Sequence, residues 1–363
     1  MVRIGCLGGF LGAGKTTALI EAARNLMARG LKVGVITNDQ GSHLVDTALV
    51  RGVGLKAEEI TGGCFCCRFP EFVRHASRLV EQHRPDVILA EAVGSCTDLA
   101  ATVYEPLRRF HAAAFELAPL SVLVEPARIR EILGTASQFE DSVRYLFEKQ
   151  LAEAEIILLS KCDLLEPGEE DDLRAQIRPL AGEIPVCPIS AKNGSGIHEW
   201  VDHLLAKQSA GTQTLDLDYE IYGEAEATLG WLNANVDLTS DRQFSPAELG
   251  EVLIAQMQKQ CESTEKAIAH LKILFATADG SNRIAVTSSS TQATWDGEDQ
   301  LGLVREASAI INARIATDPE ALRQMVENAL FIAAQEWGVS ASVLDLQSFA
   351  PSPPTRPVLQ SAN

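Results

Sequence analysis

The chain has 363 residues, 46% of them apolar and 22% charged, with a formal net charge of −18. That length exceeds what one hydrophobic core usually serves, so two domains are expected. The acidic balance, without a basic stripe and interleaved aromatics, excludes a nucleic-acid-binding face, and no apolar run is long enough for a membrane-spanning helix.

The opening, Met1-Val-Arg-Ile-Gly-Cys-Leu-Gly-Gly-Phe10, lacks a signal peptide's apolar stretch and small-residue cleavage site. It reads instead as a short buried strand entering a glycine loop, and the expected location is cytoplasmic. From there to Lys207, short apolar runs at 3–7, 32–37, 86–90, 120–124, 155–159 and 186–189 alternate with helical patterns at 16–27, 69–82, 139–153, 169–180 and 197–205. Strands alternating with helices predict an α/β domain over 1–207 whose mostly parallel sheet is covered on both faces. Ligands of such sheets sit at the carboxyl ends of the strands.

Residues 208–222 are polar and aperiodic and are expected to be a linker. Beyond them, an apolar run at 226–236, a helix at 246–260, strands near 269–275 and 283–287, a run at 307–315, a helix at 319–337 and a strand at 342–346 follow. This order predicts a smaller α+β domain over 223–349 with an antiparallel sheet. The tail 350–363 holds four prolines and is expected to be disordered.

Gly9-Phe-Leu-Gly-Ala-Gly-Lys-Thr16 fits the phosphate-loop pattern G-x-x-x-x-G-K-[ST], between an apolar strand and a helix. Backbone N–H groups of Gly12, Ala13, Gly14, Lys15, Thr16 and Thr17 are placed to surround phosphates, Lys15 to reach the β- and γ-phosphates, and Thr16 to ligate magnesium. The pattern predicts binding of a nucleoside triphosphate. Glu91 ends an apolar strand and Gly94 follows it, which fits an acid serving the magnesium and an N–H sensing the γ-phosphate. Asp39, after the second strand, is the other acidic candidate; its bland alternative is a turn residue. Lys15, Asp39 and Glu91 are thus the catalytic candidates.

Ser160-Lys161-Cys162-Asp163 follows another buried strand. A carboxylate at Asp163 can accept the N1–H and N2–H of guanine, and the Lys161 stem can lie over the base. Ser190 and Ala191 follow the next strand and suit the loop that backs guanine. These features favour GTP and GDP over adenine nucleotides.

Cys64-Phe-Cys-Cys67 crowds three of the chain's eight cysteines into four positions. Cys64, Cys66 and Cys67 would supply soft thiolates to zinc or cobalt with a fourth position open; a redox pair Cys64–Cys67 and buried apolar cysteines are the alternatives. His43 is a candidate fourth ligand, while His198 and His203 are badly spaced to share a metal. Cys6, Cys96, Cys162, Cys187 and Cys261 are scattered and read as packing residues. The acidic run Glu169–Asp172 suits a helix start.

In combination the motifs resemble the CobW-type metallochaperone GTPases, relatives of the nickel-insertion GTPases of hydrogenase and urease. Gly8–Thr17, Gly63–Cys67, Glu91-Ala-Val-Gly94, Ser160–Asp163 and the stretch Gln150–Leu159 carry the likeness, which covers the N-terminal domain. The resemblance implies a P-loop GTPase domain with Lys15 and Thr16 on phosphate and magnesium, Asp39 and Glu91 at the switches, and the three cysteines on a metal. It implies a client metalloprotein or a corrinoid-related protein as partner, and leaves a homodimer open. The family usually has Asn where this chain has Gly63, and Asn-Glu at Asn38-Asp39; a histidine-rich stretch is absent. A small-molecule kinase and a redox-gated nucleotide switch are the rival readings.

Overall fold

The computed structural model describes residues 1–38, 45–65, 67–134, 137–206, 210–213, 215–289, 291–296 and 301–354. Contacts divide the chain into two units, one containing Met1–Gln40 and Asp46–Ala225, the other containing Glu226–Ser352.

In the first unit the apolar opening forms β1 (Val2–Gly8), and the glycine loop leads into α1 (Lys15–Ala28). There follow β2 (Val33–Asn38), α2 (Val45–Gly52), β3 (Lys56–Ile60), α3 (Phe69–His83) and β4 (Val87–Glu91). A π-helical turn at Ala100–Tyr104 runs into α4 (Glu105–Phe110), then β5 (Phe115–Leu117), β6 (Ser121–Val124) and α5 (Pro126–Leu133). The unit continues with α6 (Asp141–Ala152), β7 (Ile156–Leu159), α7 (Glu169–Ala181), β8 (Val186–Pro188), α8 (Ile197–Leu205) and α9 (Tyr219–Ala227), whose last residues enter the second unit.

Among the described residues the sheet order is β3-β2-β4-β1-β6-β7-β8, with β5 also beside β1, and every pairing is parallel. Parallel strands place all the loops that leave their carboxyl ends on one edge of the sheet. The core beneath is aliphatic, with Leu19, Leu26, Val35, Leu123, Leu158 and Val201 buried together. Trp200 joins it and donates from Nε1 to Ser121 Oγ at 3.0 Å.

Within the expected linker 208–222, Gly211 has a φ of +64° and lies so close to Tyr104 that a Cβ there would meet that ring at 2.3 Å. Its N–H donates to Glu155 Oε2 at 2.7 Å, and α9 begins at Tyr219, so at Gly211 this polar stretch is fastened beside β7 by a hydrogen bond rather than by apolar periodicity. Of the tail 350–363, expected to be disordered, residues 350–354 are described; Pro351 is buried, and Pro353 and Pro354 lie against Gly223.

The second unit comprises β9 (Gly230–Phe244), α10 (Pro246–Ser263), β10 (Ile268–Thr277), β11 (Gly280–Val286), β12 (Thr294–Trp295), β13 (Val304–Ile315), α11 (Pro319–Trp337) and β14 (Ser340–Phe349). Its sheet order is β12-β11-β10-β13-β9-β14, and all pairs are antiparallel. Ser245 and Asp318 cap α10 and α11 by accepting from Glu248 N and Ala321 N. The helices bury Leu249, Leu253, Met257, Leu322 and Val326 against the strands.

Candidate functional site

The phosphate loop is shaped by backbone conformations that side chains resist. Gly9 has a φ of +124°, and a Cβ on it would stand 2.2 Å from Leu123 O. Gly14, at φ +90°, caps α1 without a side chain, so the first N–H groups of the helix face the loop. Lys15 is buried and its Nζ donates to Gly9 O at 2.7 Å and Phe10 O at 3.2 Å, arching over the loop it serves. Behind the loop, Phe10 packs edge-on against Phe139 and Phe147.

Strand register brings the first acid to this loop. β4 pairs with β1 so that Glu91 stands beside Leu7, level with the loop's start. Thr16 Oγ1 donates to Glu91 Oε1 at 3.0 Å, and both residues are buried. A hydroxyl and a carboxylate so joined fit magnesium, which prefers oxygen ligands and few of them from protein. Gly94 abuts the loop as well: a Cβ there would meet Leu11 Cα at 3.0 Å and Leu11 Cδ2 at 2.6 Å.

The segment after Gly94 is held by polar side chains from elsewhere in the chain. Gln150 Nε2 donates to Gly94 O at 3.0 Å and Cys96 O at 2.8 Å. Glu153, the C-cap of α6 and three residues after Gln150, accepts from Thr97 Oγ1 at 2.9 Å and Leu99 N at 2.8 Å. Tyr219 donates to Asp98 Oδ2 at 2.6 Å, and Tyr222 Oη accepts from Thr97 N at 3.3 Å. Burial pushes the Glu153 carboxyl up to about 8 although donors at Thr97, Leu99 and Ala100 oppose the shift, and burial also raises Asp98.

The base-reading candidates lie together further along the same edge. Ser160 Oγ donates to Val124 O at 3.2 Å, tying the end of β7 to β6. Lys161 takes a left-handed backbone at φ +53°, and its Nζ pairs with the buried Glu125 Oε1 at 2.5 Å. Asp163 is exposed on the following turn. Cys162 N donates to Ile189 O at 3.1 Å, which sets Ser190 and Ala191 beside this motif; Ser190 is fully buried and its N–H donates to Ser195 O.

The cysteine loop leaves β3. Phe65 is buried and packs on Phe72 with ring centroids 4.9 Å apart, while Cys64 is buried and Cys67 exposed. The Cys64 and Cys67 sulfurs stand 3.2 Å apart. Two convergent thiols are the donor chemistry that zinc(II) or another thiophilic ion takes. Asn38, at the end of β2, donates from Nδ2 to Ile60 O and Gly63 O and accepts from Phe65 N. Asp39, His43 and Cys66 lie outside the described residues, within which no cluster of three His, Cys, Asp or Glu able to hold a metal occurs. Of the scattered cysteines, Cys6, Cys96 and Cys261 are buried and Cys162 and Cys187 half-buried; burial pushes the Cys6 and Cys261 thiols up to about 12.

Residues 3–188, which carry every one of these loops except the turn after β8, match the CobW/HypB/UreG nucleotide-binding domain. The chain belongs to that family. It is 30% identical over 210 residues to the zinc chaperone CobW of a Sinorhizobium species, spanning 51% of this chain and 58% of that protein. It is 33% identical over 182 residues to the zinc chaperone YeiR of Escherichia coli, spanning 48% of this chain and 51% of that protein. The hydrogenase maturation factor HypB of Azotobacter vinelandii is 27% identical over 193 residues, or 52% of this chain and 55% of that protein. The chain thus matches little more than half the length of each of these relatives.

Gln150 and Glu153 enter the sequence reading only as part of the stretch that carries the family likeness, with no role assigned, and Tyr219 and Tyr222 do not enter it. A role-bearing signal existed for the first two: polar residues three apart where α6 ends, after a helix that otherwise buries Val143, Leu146, Phe147 and Leu151. Their partners are 54 to 56 residues away, beyond what local spacing reveals.

Proposed function

We propose that this chain binds and hydrolyses GTP and uses the nucleotide to govern a cysteine site that carries a thiophilic metal, zinc(II) foremost, to a client metalloprotein. The observation that carries the reading is the pair of thiols, Cys64 and Cys67, 3.2 Å apart on a loop at the same sheet edge as the phosphate loop. Its similarity to proteins named as zinc chaperones supports zinc as the cargo.

In this reading Lys15 exchanges the carbonyls of Gly9 and Phe10 for β- and γ-phosphate oxygens when the nucleotide enters. Thr16 and Glu91 would hold magnesium, which would supply charge to neutralise those phosphates. The N–H groups of Gly12 through Thr17 surround the phosphates, Gly94 offers its N–H to the γ-phosphate, and Asp39 is the second switch acid. Asp163 accepts from guanine, Lys161 lies along the base, and Ser160, Ser190 and Ala191 back it. Cys66 completes the thiolate set with Cys64 and Cys67. The client takes the metal in the cytoplasm.

The test titrates zinc(II) against a chromogenic chelator into reduced protein without nucleotide, with GDP, and with a non-hydrolysable GTP analogue. Binding linkage makes any effect of GTP on metal affinity equal to that of metal on GTP, typically about 5- to 150-fold. Affinity that differs between the GDP and GTP states, with phosphate released from GTP in the absence of an acceptor, is the expected result. Equal zinc affinity in all three states overturns the chaperone reading.

A further inference from the structure

Asn38 closes β2, and its backbone continues directly into Asp39. Its side-chain amide reaches across to the neighbouring loop. Nδ2 donates to Ile60 O at 3.0 Å and to Gly63 O at 2.9 Å, and Oδ1 accepts from Phe65 N at 2.8 Å. These bonds use both amide hydrogens and the carbonyl oxygen, a two-donor, one-acceptor set that aspartate, serine and threonine lack. The side chain is buried, and the bonds to Ile60 O and Phe65 N form away from competing water, while the bond to Gly63 O is part-buried.

The three partners bracket Cys64. Ile60 is the last residue of β3, Gly63 precedes the first thiol, and Phe65 follows it. Gly63 has a φ of +149°, so the loop bends there, and Phe65 is wedged against Phe72, so it moves as a packed body rather than as a slack chain. β2 also pairs with β4, where Ile36 stands beside Ala90, the residue before Glu91.

From this geometry we infer that Asn38 is the positioning residue that transmits the nucleotide state at the sheet edge to the cysteine loop. A shift of the β2 end drags Gly63 and Phe65 through the amide, and with them the direction of the Cys64 thiol. The inference rests on the proposed role of Asp39 as a switch acid, and it deepens the reading above by naming the linkage between nucleotide and thiols.

Its test reads the thiols without metal. Metal-free reduced protein is alkylated with iodoacetamide in the GDP and GTP-analogue states, and the rates at Cys64 and Cys67 are followed by peptide mass spectrometry. In the wild type the rate at one or both thiols should differ between states by about 5-fold or more, the lower end of ordinary coupling. In Asn38→Ala the two states should give one rate, while binding of fluorescent GDP reports that the domain is folded. Asn38→Asp, close in shape, keeps the acceptor for Phe65 N but loses both donors, and should fall between the two; it carries the test if the alanine variant does not fold. A purely structural asparagine would change melting temperature or absolute rates and leave the ratio between nucleotide states intact. A wild-type ratio of one, or a wild-type ratio in both variants, overturns the inference. Failure of zinc binding with the alkylation ratio preserved would sink the metal reading and leave this linkage standing.

Discussion

Thr16 Oγ1 donates to Glu91 Oε1 at 3.0 Å, joining the first turn of the phosphate-loop helix to the end of a strand 75 residues later. Parallel pairing of β1 with β4 sets that contact, because it carries Glu91 alongside Leu7 where the loop departs. Glu91→Gln keeps an oxygen that can accept from Thr16 and removes the charge a divalent ion needs. Phosphate release from GTP should then require about 10- to 100-fold more magnesium for half-maximal rate, the usual effect of weakening a group that supports a metal. Magnesium titrations of wild type and variant that superimpose would separate Glu91 from the metal.

In the proposed function base choice is assigned to Asp163, which is exposed on the turn after β7 and set beside Ser190 by the Cys162–Ile189 backbone bond. Hydrogen bonds to a charged group contribute about 1.5–3 kcal/mol, or roughly 10- to 150-fold in Kd. Asp163→Asn should lose GTP affinity by that factor and gain xanthosine triphosphate, whose extra carbonyl accepts from the new amide. Competition binding with GTP, ATP and xanthosine triphosphate reads this out. Wild-type protein that binds ATP as tightly as GTP would remove guanine from the reading.

Much of the sheet was legible because its central strands are buried on both faces and read as unbroken apolar runs: Val33–Asn38, Val87–Glu91 and Ile156–Leu159 are each buried throughout. β3 was missed for the opposite reason. Lys-Ala-Glu-Glu-Ile lies at the sheet's edge with only Ile60 buried, so no apolar signal marks it. β5 spans three residues and α5 begins in a proline turn, both too short for periodicity to detect. The site divides the same way. Glycine, lysine and threonine at fixed spacing announce the phosphate loop, whereas the hold of Asn38 on the cysteine loop depends on β2 lying beside β3, a tertiary fact that spacing cannot carry.

Glu153 should make the segment after Gly94 sensitive to pH. It is buried, and desolvation drives its carboxyl from an ordinary value of 4.5 to about 8, although Thr97 Oγ1 and Leu99 N both donate to it and oppose the shift. The charge of the neighbouring Asp98, itself raised by burial and held by Tyr219, adds to the upward push. Between the two values the folded chain keeps a proton that the unfolded chain has released. Stability from this group is therefore fully present below about pH 4.5 and is lost as pH rises towards 8, with a slope of at most about 1.4 kcal/mol per pH unit. Glu153→Gln keeps a carbonyl to accept from Leu99 N and has no charge to expel, so its slope across the same window should be shallower. Urea unfolding from pH 5 to pH 8 should show the wild-type midpoint falling faster than that of the variant, with the gap between the curves narrowing towards the acid end. Background titrations elsewhere in the chain are common to both proteins and cancel in the difference. Parallel curves across the whole range would mean that Glu153 is ionised in the folded chain at neutral pH, and that the bonds to Thr97 and Leu99 outweigh its desolvation.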